Sequence, residues 1–123
     1  MKKILVVDDD RVSRSLLGEI LRPAGYDVVE AEEGKQALKI VDADKIDLII
    51  TDRAMPGMDG MGLLQALRQR KTTIPTVVVS AFGEESMWGE AIGLGAQDYM
   101  LKPFAAQEVL KVVKKLLSKK ASK

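Results

Sequence analysis

The sequence predicts an α/β fold, with five parallel strands in one doubly wound sheet and helices on both faces. Three observations predict it. Short apolar runs alternate five times with segments whose apolar residues recur at helical spacing. Several of those runs are continuously apolar, as strands buried on both faces are. Strict alternation of this kind requires right-handed crossovers that lay helices on each face of a parallel sheet. Five strands are also too few for a closed eight-stranded barrel.

Each element follows from local chemistry. Ile4-Leu5-Val6-Val7 is a β-branched-rich strand, cut off by Asp8-Asp9-Asp10. Val12, Leu16, Leu17, Ile20 and Leu21 then fall at helical spacing, and Pro23 with Gly25 stops that helix. Val28, Val29 and Ala31 form a weaker, more polar strand, and Gly34 opens a second helix carrying Ala37, Leu38 and Val41. Ile46, Leu48, Ile49 and Ile50 make the third strand, ending at Thr51-Asp52. A turn-rich loop from Met55 to Gly60 leads into a third helix lined by Leu63, Leu64 and Leu67. Thr76-Val77-Val78-Val79 is the fourth strand, ending at Ser80-Ala81. Glu84 to Leu94 reads as a fourth helix, its end weakened by Gly93 and Gly95. Tyr99-Met100-Leu101 is a short fifth strand ending at Lys102-Pro103. Val109, Leu110, Val112, Val113, Leu116 and Leu117 give a long final helix. The topology expected for this series is the flavodoxin-like strand order 2-1-3-4-5. In such sheets ligands sit beyond the carboxyl ends of the strands, at the switch point between strands 1 and 3.

Composition removes whole classes of chemistry. The 123 residues suit one domain, and 46% apolar with 30% charged residues is the balance of a globule with a real core. There is no cysteine and no histidine, which removes Ser-His-Asp and Cys-His catalysis and the usual zinc sites. A net charge of +1, from 19 basic and 18 acidic residues, gives no global attraction to nucleic acid or membrane. The apolar run after Lys2-Lys3 is four residues, short of the roughly 7–15 of a signal peptide core. A cytoplasmic protein with neither a nucleic-acid nor a membrane partner is expected. Lysines 111, 114, 115, 119, 120 and 123 crowd the end without a stacking aromatic, and cations favour a helix C-terminus. Trp88, among Glu84, Glu85, Ser86 and Glu90, reads as a partly exposed partner anchor.

The residues that end the strands carry the functional signal. Asp8, Asp9 and Asp10 end the first strand, Asp52 the third, Ser80 the fourth and Lys102 the fifth. Singly, each has an ordinary reading: a turn former, a strand-end hydroxyl, a surface lysine before a turn proline. In the order 2-1-3-4-5 they converge on one edge. Carboxylates that close repel, and a hard divalent cation relieves the repulsion; Mg²⁺ takes one or two carboxylates with waters and a phosphate. Asp10 is assigned instead to capping the helix that starts near Arg11. Asp59-Gly60 imitates part of a calcium loop, but the alternating ligands of such a loop are missing.

Ile4-Leu5-Val6-Val7-Asp8-Asp9, Thr51-Asp52-x-x-Met55-Pro56-x-Met58-Asp59-Gly60, Val79-Ser80-Ala81 and Gly95-Ala96-x-x-Tyr99-x-x-Lys102-Pro103-Phe104 together resemble the receiver domains of two-component response regulators. The resemblance is to single-domain receivers of the CheY type. It covers residues 1–120 as one receiver domain and leaves 121–123 as a basic C-terminal tail. It implies that Asp52 is the phosphoacceptor and that Asp9 and Asp52 bind Mg²⁺, with Mn²⁺ able to substitute. The Ala54 backbone carbonyl would be a third ligand, and Asp8 would act through a metal-bound water. Lys102 would pair with one phosphoryl oxygen, Ser80 would hydrogen-bond another, and Tyr99 would be the aromatic switch. Lys102-Pro103 would be a candidate cis peptide. Ala54 and Phe82 occupy positions that tune phosphoryl lifetime in the family, and Arg53 flanks the site as a solvated cation.

The implied partners are a histidine kinase or histidine phosphotransfer protein as donor, and a target protein at the fourth helix, fifth strand and last helix. The chain would be a monomeric signalling module rather than an enzyme. Two rival readings share parts of this pattern. A flavodoxin-like FMN-binding protein needs a hydroxyl- or glycine-rich phosphate loop where Asp8-Asp9-Asp10 stand. An aspartate-based phosphatase carries a second Asp two residues after its nucleophile, where this chain has Ala54.

Overall fold

The computed structural model describes residues 1–81 and 85–121. Among the described residues five strands and five α-helices alternate: β1 (Lys3–Val7), α1 (Arg11–Leu21), β2 (Asp27–Ala31), α2 (Gly34–Ala43), β3 (Leu48–Asp52), α3 (Gly60–Gln69), β4 (Thr76–Ala81), α4 (Trp88–Gly93), β5 (Asp98–Lys102) and α5 (Ala106–Ala121). The strands are all parallel, in the order β2-β1-β3-β4-β5, as the sequence pattern predicts.

Burial on both faces explains the unbroken apolar runs. Ile4 and Val6 project into a core shared with Leu17 and Leu21 of α1 and Val109, Val113 and Leu116 of α5. Leu5, Val7 and Ile49 project the other way, against Ala37 and Leu38 of α2 and Leu63 and Leu67 of α3. Toward the β4–β5 side, Met61 and Leu64 of α3, Val78, Ala91 of α4 and Tyr99 form a third cluster. A strand read by both faces cannot show the period-2 alternation of a half-exposed one.

Two boundaries depart from the sequence pattern, and the stop after α1 follows it. Ile46 is buried but precedes β3, which starts at Leu48. The fourth helix is six residues long and follows a 3₁₀ turn at Glu85–Met87; Gly89 and Gly93 within it are poor helix formers, and Glu84 lies outside the described residues. After α1 the chain makes a 3₁₀ turn at Arg22–Ala24, with Pro23 inside it, and Gly25 ends it at φ +97°. On α1, Val12 and Leu16 stay in solvent, 74% and 45% exposed, while Leu17 and Leu21 face the sheet.

Gly60 is required by a close approach. A Cβ there would lie 2.6 Å from the Asp52 carbonyl oxygen and 3.0 Å from Arg53 Cα. The loop from Arg53 returns against β3 only because that atom is missing, and the Gly60 N–H donates to the Arg53 carbonyl at 2.8 Å. Asp59 caps α3, its Oδ1 accepting from Gly62 N at 2.9 Å, which is the structural role of the Asp59-Gly60 pair.

Candidate functional site

Strand register decides which groups meet. Val7 lies opposite Thr51, so Asp8 and Asp52, the next residues, sit side by side beyond β1 and within the end of β3. Asp52 is opposite Val79, and Ala81 is opposite Lys102. Side chains alternate along a strand and registered partners share a face. Asp8, Asp52 and Lys102 therefore share the face of Val6, Ile50 and Val79, beneath α1 and α5. Ser80 and Tyr99 fall on the opposite face, beneath α3 and α4.

The first group is a charge cluster. One carboxylate oxygen each from Asp8, Asp9 and Asp52 lies within 4.8 Å of the others. Lys102 Nζ is 3.0 Å from Asp8 Oδ2 and 3.5 Å from Asp52 Oδ1. Asp8 is buried and fixed on every side. Its Oδ1 accepts from Asp10 N at 2.9 Å, its N–H donates to Ala31 O at 3.1 Å, and its carbonyl accepts from Arg14 Nη1 at 2.7 Å. Asp52 Oδ1 accepts from Arg53 N at 3.1 Å. Asp10 caps α1, accepting from Val12 N at 3.2 Å and Ser13 Oγ at 2.9 Å, so it takes the helix-cap role assigned to it.

These neighbours set the protonation of the site. Burial, then the charge of Asp8, pushes the Asp52 carboxyl up from 3.8 to about 6, with Lys102 opposing. Burial pulls the Lys102 ammonium down, but its hydrogen bond to Asp8 and the charges of Asp52 and Asp8 outweigh that and raise it. Lys102 therefore stays cationic throughout the physiological range. Three carboxylates against one contacting ammonium form an oxygen-only, electron-rich donor set, which fits a hard divalent cation such as Mg²⁺.

The second group is uncharged. Ser80 is 1% exposed, and its Oγ is 2.7 Å from Tyr99 Oη. It also donates to Ala81 O at 3.3 Å. Here the Ser80 hydroxyl is engaged with Tyr99 rather than with the carboxylates. Tyr99 is 6% exposed, deeper than a half-buried packing residue, and its ring stacks on Trp88 with centroids 5.5 Å apart and planes 13° from parallel. Trp88 itself is 46% exposed, so the relay from Ser80 ends at the surface.

The remaining candidates are placed as follows. Ala54 is exposed in the loop two residues after Asp52. Arg53 is half-buried rather than solvated. The Lys102-Pro103 peptide is cis. Phe82 and Lys123 lie outside the described residues. Among the terminal lysines, Lys115 Nζ pairs with Asp98 Oδ2 at 2.8 Å across α5 and β5. Sequence reading missed Arg14 and Glu30, whose Nε and Oε1 are 3.1 Å apart behind the Asp8 loop. A lone arginine on a helix and a lone glutamate on a strand carry no spacing signal; only the fold brings them together.

Comparison with known proteins agrees with this geometry. Residues 4–114 match the model of the response regulator receiver domain. The chain is 38% identical over 121 residues to sporulation initiation phosphotransferase F of Bacillus subtilis, covering 98% of each protein. It is 43% identical over 116 residues to the alkaline phosphatase synthesis transcriptional regulatory protein PhoP of the same organism, covering 94% of this chain and 48% of the relative. The chain thus spans about half the length of the curated transcriptional regulators it matches. Among solved structures, the receiver domain of the Francisella response regulator 1452 superposes with a TM-score of 0.92 at 31% identity, covering 98% of this chain and 99% of that one. No described helix is long and apolar enough to cross a membrane. On these comparisons the chain belongs to the response regulator receiver domains, the phosphoacceptor modules of two-component signalling.

Proposed function

We propose that Asp52 is the phosphoacceptor and that residues 1–120 act as one cytoplasmic receiver domain, monomeric and signalling rather than turning over substrate, with 121–123 a basic tail. The observation that carries this is the placement of Asp52 at the end of β3, beside Asp8 and 3.5 Å from the Lys102 ammonium. The donor is a phosphohistidine on a histidine kinase or histidine phosphotransfer protein. A carboxylate oxygen of Asp52 attacks phosphorus, the P–N bond to the imidazole breaks, and the ring nitrogen keeps the electron pair. The product is an acyl phosphate. Charge in such a transfer spreads over three equatorial oxygens, so the protein contributes positioning and electrostatic stabilisation. Lys102 pairs with one of those oxygens. Ser80 reaches another once its bond to Tyr99 is exchanged.

Asp9 and Asp52 would hold Mg²⁺, or Mn²⁺ in its place, directly, with Asp8 acting through a water and Ala54 offering its carbonyl. When bound, the ion supplies neutralisation of the phosphoryl charge. A donor helix has a surface to dock on beside the site. Val12 and Leu16 are exposed on α1, and an apolar cleft of about 320 Å³ is lined by Leu16, Pro103 and Phe104 next to Lys102. The target protein reads α4, β5 and α5, with Trp88 as its anchor.

Incubation with acetyl phosphate and Mg²⁺ tests the assignment. Intact mass rises by one phosphoryl group, the gain needs the metal, and Asp52→Asn abolishes it. Unchanged labelling of that variant overturns the assignment.

A further inference from the structure

We propose that Arg14 is a positioning residue that holds the Asp8-Asp9-Asp10 loop in its metal-ready shape. The inference rests on the reading of Asp8, Asp9 and Asp52 as the metal site and deepens it. The loop joining β1 to α1 is these three acidic residues alone. It must keep two carboxylates within 4.8 Å of Asp52 although like charges push it open. Lys102 opposes part of that push at the carboxylates in the metal-free protein, and the loop backbone needs a hold of its own.

Arg14 is built to provide it. It stands one turn into α1, its N–H donating to the Asp10 carbonyl at 3.1 Å. Its side chain is only 11% exposed. Nη1 donates to the Asp8 carbonyl at 2.7 Å, the short distance of a charge-assisted bond. Nε donates to Glu30 Oε1 at 3.1 Å. Glu30 lies on β2, opposite Val6 of β1, and its other oxygen lies 3.5 Å from Arg22 Nη2. The Asp8 peptide is thus held at both ends: its N–H by Ala31 of β2, its carbonyl by a guanidinium that β2 orients through Glu30. Because Arg14 takes the carbonyl, it sets a cation against the loop backbone and leaves both Asp8 carboxylate oxygens to Asp10 N and Lys102. A planar fork with fixed donors holds two such partners in one set geometry, which an ammonium on a flexible stem fixes less firmly.

The consequence is specific. Without Arg14 the ion itself must close the loop, so Mg²⁺ binds more weakly, while the protein saturated with Mg²⁺ retains its reacting groups. Isothermal titration of the full, metal-free chain with MgCl₂ reads this directly. Arg14→Met, which keeps the buried stem, is expected to weaken Mg²⁺ about tenfold, the lower end of what losing an outer-shell partner costs. Arg14→Lys is expected to recover only part of the loss. Phosphorylation by acetyl phosphate should need correspondingly more Mg²⁺ but reach the wild-type maximum, a split that general destabilisation would not produce. Glu30→Gln, which leaves Arg14 in place but weakens its orientation, should move the affinity the same way by a smaller factor, and it decides the matter if Arg14→Met does not fold. Wild-type affinity in a folded Arg14→Met, or in Glu30→Gln if Arg14→Met does not fold, overturns the inference. Asp9→Ala is the control. If it binds Mg²⁺ as the wild type does, the metal-site reading fails and this inference with it; if it loses binding while Arg14→Met keeps it, the inference alone fails.

Discussion

The two faces of the sheet carry opposite kinds of construction at the same carboxyl edge. Beneath α1 and α5, Asp8, Asp52 and Lys102 are charged, joined by ion contacts of 3.0 and 3.5 Å, and set on strand ends and a three-residue link. Beneath α3 and α4, Ser80, Tyr99 and Trp88 are neutral, joined by one hydroxyl contact and one ring stack. The covering helices differ too. α1 has eleven residues and a side-chain N-cap from Asp10, whereas α4 has six and no side-chain cap. An ion contact is a stronger single tie than a neutral hydrogen bond or a ring pair, each worth about 0.5–1.5 kcal/mol, although the crowded carboxylates also repel one another. The charged face is therefore held by the stronger ties, and the neutral face is the easier of the two to rearrange. Phosphoryl chemistry needs the first property, and a surface that reports on it needs the second.

The contrast breaks most visibly at the metal. Asp9→Ala should reduce Mg²⁺ affinity beyond the roughly 10–100-fold expected for an outer-shell change, whereas Asp10→Ala should leave it intact and cost about 1 kcal/mol of stability as a lost helix cap. Titration calorimetry and urea unfolding of the two variants separate these roles. Equal affinities would erase the division between them.

Protonation gives the next largest effect. As the proposed phosphoacceptor, Asp52 would attack as a carboxylate, and in the metal-free protein burial and the Asp8 charge push its carboxyl up to about 6. Phosphorylation under limiting Mg²⁺ should fall about tenfold per pH unit below that value. Stability runs the other way. A carboxyl raised from 3.8 to about 6 by folding binds its proton more tightly in the native state, so it destabilises the metal-free fold above pH 6. That penalty fades as pH drops and vanishes below 3.8, where both states are protonated. Asp52→Asn should therefore stabilise the metal-free chain by roughly 2–3 kcal/mol at pH 7.5 and by nothing at pH 3.5, as urea melts at the two pH values would show.

The smallest effect belongs to the neutral face. Ser80→Ala removes one hydrogen bond, worth about 1 kcal/mol, and should leave phosphoryl uptake present. The change in Trp88 fluorescence on phosphorylation should shrink, because Tyr99 loses its link to the site. A full-sized Trp88 response in this variant would show that the two faces communicate by another route.

The fold was legible because both-face burial writes long apolar runs, and because glycine, proline and aspartate punctuate them. The candidate site was legible because strand-end residues gather wherever the strands are parallel and the order is 2-1-3-4-5. Which face each residue takes was not. Asp8, Ser80 and Lys102 were all expected at one edge, but assigning them to faces needs the pairing of Val7 with Thr51 and of Ala81 with Lys102. Continuous apolar strands erase the alternation that would have shown it. The Arg14–Glu30 clamp escaped for a related reason, since its members are 16 residues apart in chain and look solvated one at a time. Glycines weaken the fourth helix in sequence, and it is six residues long behind a 3₁₀ turn that the apolar spacing does not signal.

The stack of Trp88 on Tyr99 also runs backwards. A target that covers the exposed indole and prefers one setting of the phenol beneath it does work on Ser80 through the 2.7 Å contact. Thermodynamic linkage makes that work reciprocal: the factor by which phosphorylation tightens the target is the factor by which the target favours phosphorylation. An output partner seated there would then be an input as well. The extent of phosphorylation at a given donor strength would become a function of how much target is present, so the chain would measure its own audience.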